Sequence, residues 1–294
     1  MASRFFQIWS LAIIGVLGGA IDRFAMAQTN AFFKTVVQDK NGDFVLTFDG
    51  SLPDIQDKIS EVDYEYDLKK EHFWVYVPKN YTGEKAFGLI AFISSQMSWS
   101  DIGGKTLLDR TLPSDWKQIL EERELIYISP YNIGNDQPTS RRLGLTLVGI
   151  LKIAEKYKID KTRIYTAGFS GGARSALHLA LLYPKLISGS IPIGGADYHM
   201  PIKWIYAKSL IDSVGKPYGF WPVDSRFLET AKANLRIALV IGHNDLRYGN
   251  IVDIYHSGFL KDGFHVKLID VPDMKHELCS AEIFGQALDF VKTK

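Results

Sequence analysis

From residue 73 onward, short apolar runs alternate with stretches of helical spacing. Phe73–Val77, Gly88–Ile93, Leu125–Ser129, Arg163–Ala167, Leu186–Ile193, Ile237–Ile241 and His265–Ile269 read as strands bounded by turn residues. Pro113–Leu120, Leu143–Tyr157, Ala173–Leu182, Ile251–Leu260 and Ala281–Lys292 read as helices, the first with Ser114 as its candidate cap. Most of the strands are apolar at successive positions, which requires cover on both faces. A succession of such strands and helices predicts an α/β domain with a mostly parallel central sheet flanked by helices. Upstream, residues 31–37 and 43–48 alternate in strand fashion about Asn41-Gly42, a hairpin signal. With the polar stretch Asp54–Lys70, residues 28–70 are expected to form an N-terminal β extension of that same domain, whose main body is 71–294.

The first 27 residues have a different character. Met1-Ala-Ser-Arg4 is a short positive start, residues 5–21 are mostly apolar, and Ala25-Met26-Ala27 offers the small residues of a signal-peptidase site with a cut before Gln28. Residues 1–27 are therefore expected to be a signal peptide and the mature chain secreted or periplasmic, without a stable membrane span. A membrane anchor is the competing reading, since Asp22 and Arg23 sit uncommonly close to such a cut. The apolar run lies at the lower edge of a bilayer span, however, and Gln7 and Ser10 weaken it.

Composition narrows the function classes. Among 294 residues, 34 Lys and Arg face 33 Asp and Glu, and this near neutrality argues against a nucleic-acid partner. Cys279 is the single cysteine, so no internal disulfide can form and stability must come from the core. It is expected to be a buried free thiol rather than a nucleophile.

One stretch carries candidate chemistry. Gly168-Phe169-Ser170-Gly171-Gly172 is a G-x-S-x-G directly preceded by an apolar strand and followed by a helix. A serine on that strand–turn–helix corner presents its hydroxyl above the sheet edge, and flanking glycines avoid clashes with the neighbouring elements. Ser170 is thus a candidate nucleophile. A serine needs a base, and the base needs an orienting acid. His276 follows strand 265–271 in a loop before the last helix, where a base can reach a serine at a neighbouring strand end. Asp245 ends Gly242-His243-Asn244-Asp245 after strand 237–241 and is the expected acid, with Asp197 after the preceding strand as its rival. Asp273 is too near His276 in sequence for an easy approach to the ring.

These residues, with Phe73-Trp-Val-Tyr-Val-Pro-Lys-Asn-Tyr81, the elbow Ala167–Ala173 and Val271-Pro-Asp-Met-Lys-His276, resemble the α/β-hydrolases. Within that superfamily the chain is similar to the secreted esterase branch of polyhydroxybutyrate depolymerase-like and feruloyl esterase-like proteins, over about residues 70–293. The resemblance implies an α/β-hydrolase catalytic domain at 71–294 with the order nucleophile, acid, histidine. It also implies hydrolysis of esters or thioesters through an acyl-enzyme, on a small-molecule or polymeric substrate, with no metal or organic cofactor. Such esterases carry His-Gly after the strand that ends at residue 93, and here Ser94-Ser95-Gln96 stand instead. The oxyanion hole is then expected from the backbone N–H of Gly171 with that of Ser95 or Gln96.

Tyr131, in the loop after strand 125–129, and Trp204 and Trp221, in the long segment before strand 237–241, are candidate substrate-binding residues. The two tryptophans could equally pack extra helices. Other chemistries fall away: Gly104-Lys105-Thr106 lacks the glycine of a phosphate loop at position 99, and His276-Glu277 has no second His at 280. The remaining alternatives are a non-catalytic binding protein on the same fold and a serine peptidase or amidase, because a triad does not itself choose ester over amide.

Overall fold

The computed structural model describes residues 41–48, 52–53, 55, 58–95, 112–131, 133–202 and 220–292. The expected signal peptide, the strand 31–37, Gln96 and Trp204 lie outside them. In chain order the elements are β1 (Gly42–Leu46), β2 (Phe73–Val77), β3 (Phe87–Ile93), α1 (Trp116–Glu122), β4 (Leu125–Pro130), α2 (Thr139–Lys156), β5 (Ile159–Phe169) and α3 (Gly171–Leu182). There follow β6 (Gly189–Ile193), α4 (Ser225–Asn234), β7 (Arg236–Gly242), α5 (Tyr248–Ile254), β8 (His265–Val271) and α6 (Ala281–Val291).

The eight strands form one sheet in the order β1-β2-β4-β3-β5-β6-β7-β8. Only β2 is reversed, antiparallel to both β1 and β4, and every other pairing is parallel. The mostly parallel sheet and the N-terminal β strand agree with expectation. The sequence pairs 43–48 with 31–37; among the described residues the partner of β1 is β2. All positions of β3, β4 and β6 are buried, as central parallel strands require, whereas β1 and β8 at the edges alternate between more and less exposed positions.

Because side chains alternate across a strand, the sheet divides the core into two layers. Leu89, Ala91 and Ile93 of β3 join one layer with Leu147, Ile150 and Ile153 of α2 and Leu177 of α3. Ile90 and Phe92 join the other, with Trp116 and Leu120 of α1 and Phe284 and Leu288 of α6. There the rings of Trp116 and Phe284 stack 3.8 Å apart, and Trp116 Nε1–H donates to the Cys279 carbonyl at 3.1 Å. Cys279 is buried, and burial pushes its thiol from an ordinary 9.0 up to about 12. Ellman's reagent is therefore expected to find no reactive thiol in the native protein and one per chain in denaturant. A native-state reaction would contradict this packing.

Two local expectations are corrected. Helix α1 begins at Trp116 with Asp115, not Ser114, at the cap position, and the Asp115 carboxylate instead accepts from Ala281 N–H at 3.3 Å. The helix expected over 251–260 is α5 followed by a π-helical turn at Tyr255–Phe259. The widened turn lets Gly258 lie directly against Tyr198 and Ile202.

Parallel strands share one direction, so the loops after β3, β4, β5, β6, β7 and β8 gather at one sheet edge. Ser95, Tyr131, Ser170, Asp197, Asp245 and His276 all follow those strand ends.

Candidate active site

Ser170 sits between β5 and α3 with φ 55° and ψ −119°, in the left-handed region that costs a non-glycine residue roughly 1–3 kcal/mol. Neighbouring backbone holds it there. Its N–H donates to the Ile193 carbonyl at 2.9 Å, and its own carbonyl accepts from Arg174 N–H at 3.3 Å. The corner closes because glycines line it: a Cβ on Gly172 would stand 1.9 Å from the Ile93 carbonyl oxygen, and one on Gly168 would stand 2.5 Å from Gly172.

Asp245 lies in the turn after β7, 4% exposed, with its N–H on the Gly242 carbonyl. The loop carrying His276 is tied to the same turn, since Asn244 N–H donates to the Met274 carbonyl at 3.1 Å. The imidazole spans the gap. Nδ1–H donates to Asp245 Oδ2 at 2.6 Å, and Nε2 lies 3.0 Å from Ser170 Oγ. The ring leans on Phe169 at 4.7 Å between centroids.

A fourth group joins them. Arg247 Nη1 lies 3.0 Å from His276 Nε2. A guanidinium only donates, so this contact requires the lone pair at Nε2 and the hydrogen at Nδ1, the tautomer in which Nε2 can take a proton from serine. Burial raises the Asp245 carboxyl, but the hydrogen bonds from His276 and from Arg247 N–H, with the charges of both residues, outweigh it. Asp245 is held below the usual carboxylate range. Asp197, the rival acid, is engaged elsewhere: Arg174 Nε–H donates to it at 2.7 Å, and both residues are about 5% exposed or less.

No family model matches the chain, and no curated protein matches it. Solved structures do. A ferulic acid esterase superposes with a TM-score of 0.56 at 15% identity, over 86% of this chain and 98% of its own. A substrate-bound, fluorophosphonate-binding serine hydrolase of Staphylococcus aureus gives 0.56 at 12%, over 87% and 100%. An arylesterase gives 0.54 at 16%, over 92% and 93%. The fold is that of the α/β-hydrolases. At these identities the likeness concerns the fold alone.

Gly171 opens α3, where the first N–H groups of a helix have no acceptor within it. Across from it, the loop after β3 is pinned by its carbonyls: Ser94 O accepts from Arg142 Nη2 at 3.1 Å, and Ser95 O accepts from Asn135 N–H at 3.2 Å. Arg142 also donates from Nε to the Ile133 carbonyl at 2.8 Å, so one α2 side chain ties the loops after β3 and β4 together. The Asn135 side chain lies against Gly171, its Oδ1 2.1 Å from where a Cβ would be.

Of the expected substrate residues, Tyr131 and Trp221 are engaged in aromatic packing. Tyr131 stacks on Trp74 at 5.1 Å, on the side of β4 away from β5, and burial pushes its hydroxyl up to about 12. Trp221 is 8% exposed and stacks at 3.7 Å on His178, about two helical turns along α3 from Ser170. Both rings found aromatic partners in the packing. Sequence reasoning missed Arg247, whose only signal is its place two residues beyond the acid at a strand end. Among the described residues, no group of His, Cys, Asp and Glu is placed to hold a metal, and no helix is long and apolar enough to cross a membrane.

Proposed function

We propose that this chain is a serine hydrolase of carboxylic esters, with Ser170 as nucleophile, His276 as base and Asp245 as orienting acid. The observation that carries the reading is the continuous hydrogen-bonded chain Asp245–His276–Ser170, at 2.6 and 3.0 Å, ending on a serine with a positive φ. His276 Nε2 takes the Ser170 proton as Oγ attacks the ester carbonyl. The oxyanion accepts hydrogen bonds from Gly171 N–H and from Ser95 or Gln96 N–H, a donor pair in which each member is typically worth about 100- to 1,000-fold in turnover. Collapse expels the alcohol, which leaves with the proton from Nε2. Water then repeats the sequence and releases the acid. Esterases among the similar folds make esters the first substrates to try, and peptidases stand among those folds as well. Export through residues 1–27 to the periplasm or the cell exterior belongs to the same proposal, on the strength of Arg4, the apolar run and Ala25-Met26-Ala27.

The test is intact-mass labelling of residues 28–294 with a small fluorophosphonate. One adduct on the wild type and none on Ser170→Ala is expected. No adduct on the folded wild type would favour a non-catalytic binding protein, and an adduct that survives the substitution would assign the nucleophile to another serine.

A further inference from the structure

Arg247 Nη1 and Ser170 Oγ both lie 3.0 Å from His276 Nε2. A neutral imidazole offers a single lone pair there, so the guanidinium and the hydroxyl compete for it. The cation is held at this spot by local geometry. Arg247 N–H donates to Asp245 Oδ1 at 2.9 Å, Nη1 lies 3.9 Å from that oxygen, and the side chain is 15% exposed.

The competition matters once the proton moves. When His276 takes the Ser170 proton, Nε2 becomes a donor on a cationic ring facing a second cationic donor. Two donors then face each other at Nε2 with no acceptor between them. An anion beside the two removes the conflict. Nε2–H next delivers its proton to the departing oxygen or sulfur, so a group near Nη1 belongs to the leaving half of the substrate rather than to its acyl half.

We propose that Arg247 is a specificity-determining residue that selects esters or thioesters whose leaving alcohol or thiol carries a carboxylate. This rests on the esterase reading of the same site. The carboxylate accepts from the guanidinium fork, draws it off Nε2 and leaves the lone pair to Ser170. A neutral leaving group leaves the competition in place. The bonds made and broken are those of ordinary acyl transfer, and the carboxylate itself takes no part in them.

Two esters that differ in one group provide the test: 3-acetoxybenzoate and 3-acetoxybenzamide. Wild type is expected to favour the acid by about 10- to 100-fold in kcat/KM, the range of a hydrogen bond to a charged group. Arg247→Met should cancel the preference, read as the ratio of the two kcat/KM values whatever happens to the absolute rates. A second measurement needs no variant. On wild type, 3-hydroxybenzoate should protect Ser170 from the label at about 10- to 100-fold lower concentration than 3-hydroxybenzamide. Equal ratios in wild type and Arg247→Met, or equal protection by the two phenols, overturn the inference and leave the esterase reading standing. A wild type that takes no label overturns both.

Discussion

On the proposed reading, Asp245→Asn is expected to lower kcat for ester hydrolysis about 10,000-fold at neutral pH, with the thermal midpoint changed far less than the rate. Asp245 Oδ2 accepts from His276 Nδ1 at 2.6 Å. An amide at 245 can turn its NH2 toward Nδ1, and the ring then carries its hydrogen at Nε2, facing Ser170 and Arg247. That tautomer cannot take the serine proton. The carboxylate that would stabilise the imidazolium is gone as well. Steady-state kinetics of the purified variant, with the fluorophosphonate labelling rate measured in parallel, reads the effect. A kcat within tenfold of wild type would mean that something other than Asp245 orients the imidazole.

Arg174→Met acts on stability instead. Its Nε–H donates to Asp197 at 2.7 Å, with side chains 6% and 3% exposed. Removing one partner of a buried pair typically costs about 3–5 kcal/mol, because the remaining charge keeps its desolvation cost and loses its attraction. In a domain of this size that corresponds to a Tm lower by roughly 6–20 °C. Replacing both partners, Arg174→Met with Asp197→Leu, should recover much of the loss, since a well-packed apolar pair avoids the desolvation altogether. A single variant that melts within a degree or two of wild type would show that the pair contributes little. The contrast between the two pairs, Asp245–His276 and Asp197–Arg174, is the sharper outcome: a change in one reads out in rate and a change in the other in melting.

The fold was legible where burial leaves its mark on consecutive residues. Strands β3, β4, β6 and β7 lie inside the sheet, and their apolar runs need no alternation to be recognised. Ser170 was legible because a sharp corner between strand and helix demands small neighbours on both sides. Asp245 and His276 followed from the rule that parallel strands end on one edge. The aromatic residues were not legible in the same way. A ring such as Trp221 gains as much from stacking on His178 as from lining a cleft, and the sequence carries nothing that separates the two. Arg247 was hidden for a different reason. It lies in a turn between β7 and α5 with no motif to mark it, and only the folded turn aims the guanidinium at Nε2.

The glycines around the corner divide this site into parts that can be varied and parts that cannot. A methyl group at 172 or 195 would meet peptide atoms, the Ile93 carbonyl at 1.9 Å and the Ser170 carbonyl at 2.4 Å, and peptide atoms cannot rotate aside. At 171 the obstacle is the Asn135 side chain, which can. A randomised library aimed at new substrates would therefore lose nearly every clone diversified at 172 or 195. Diversity placed at 135 and 171 together meets a side chain rather than backbone as its nearest obstacle.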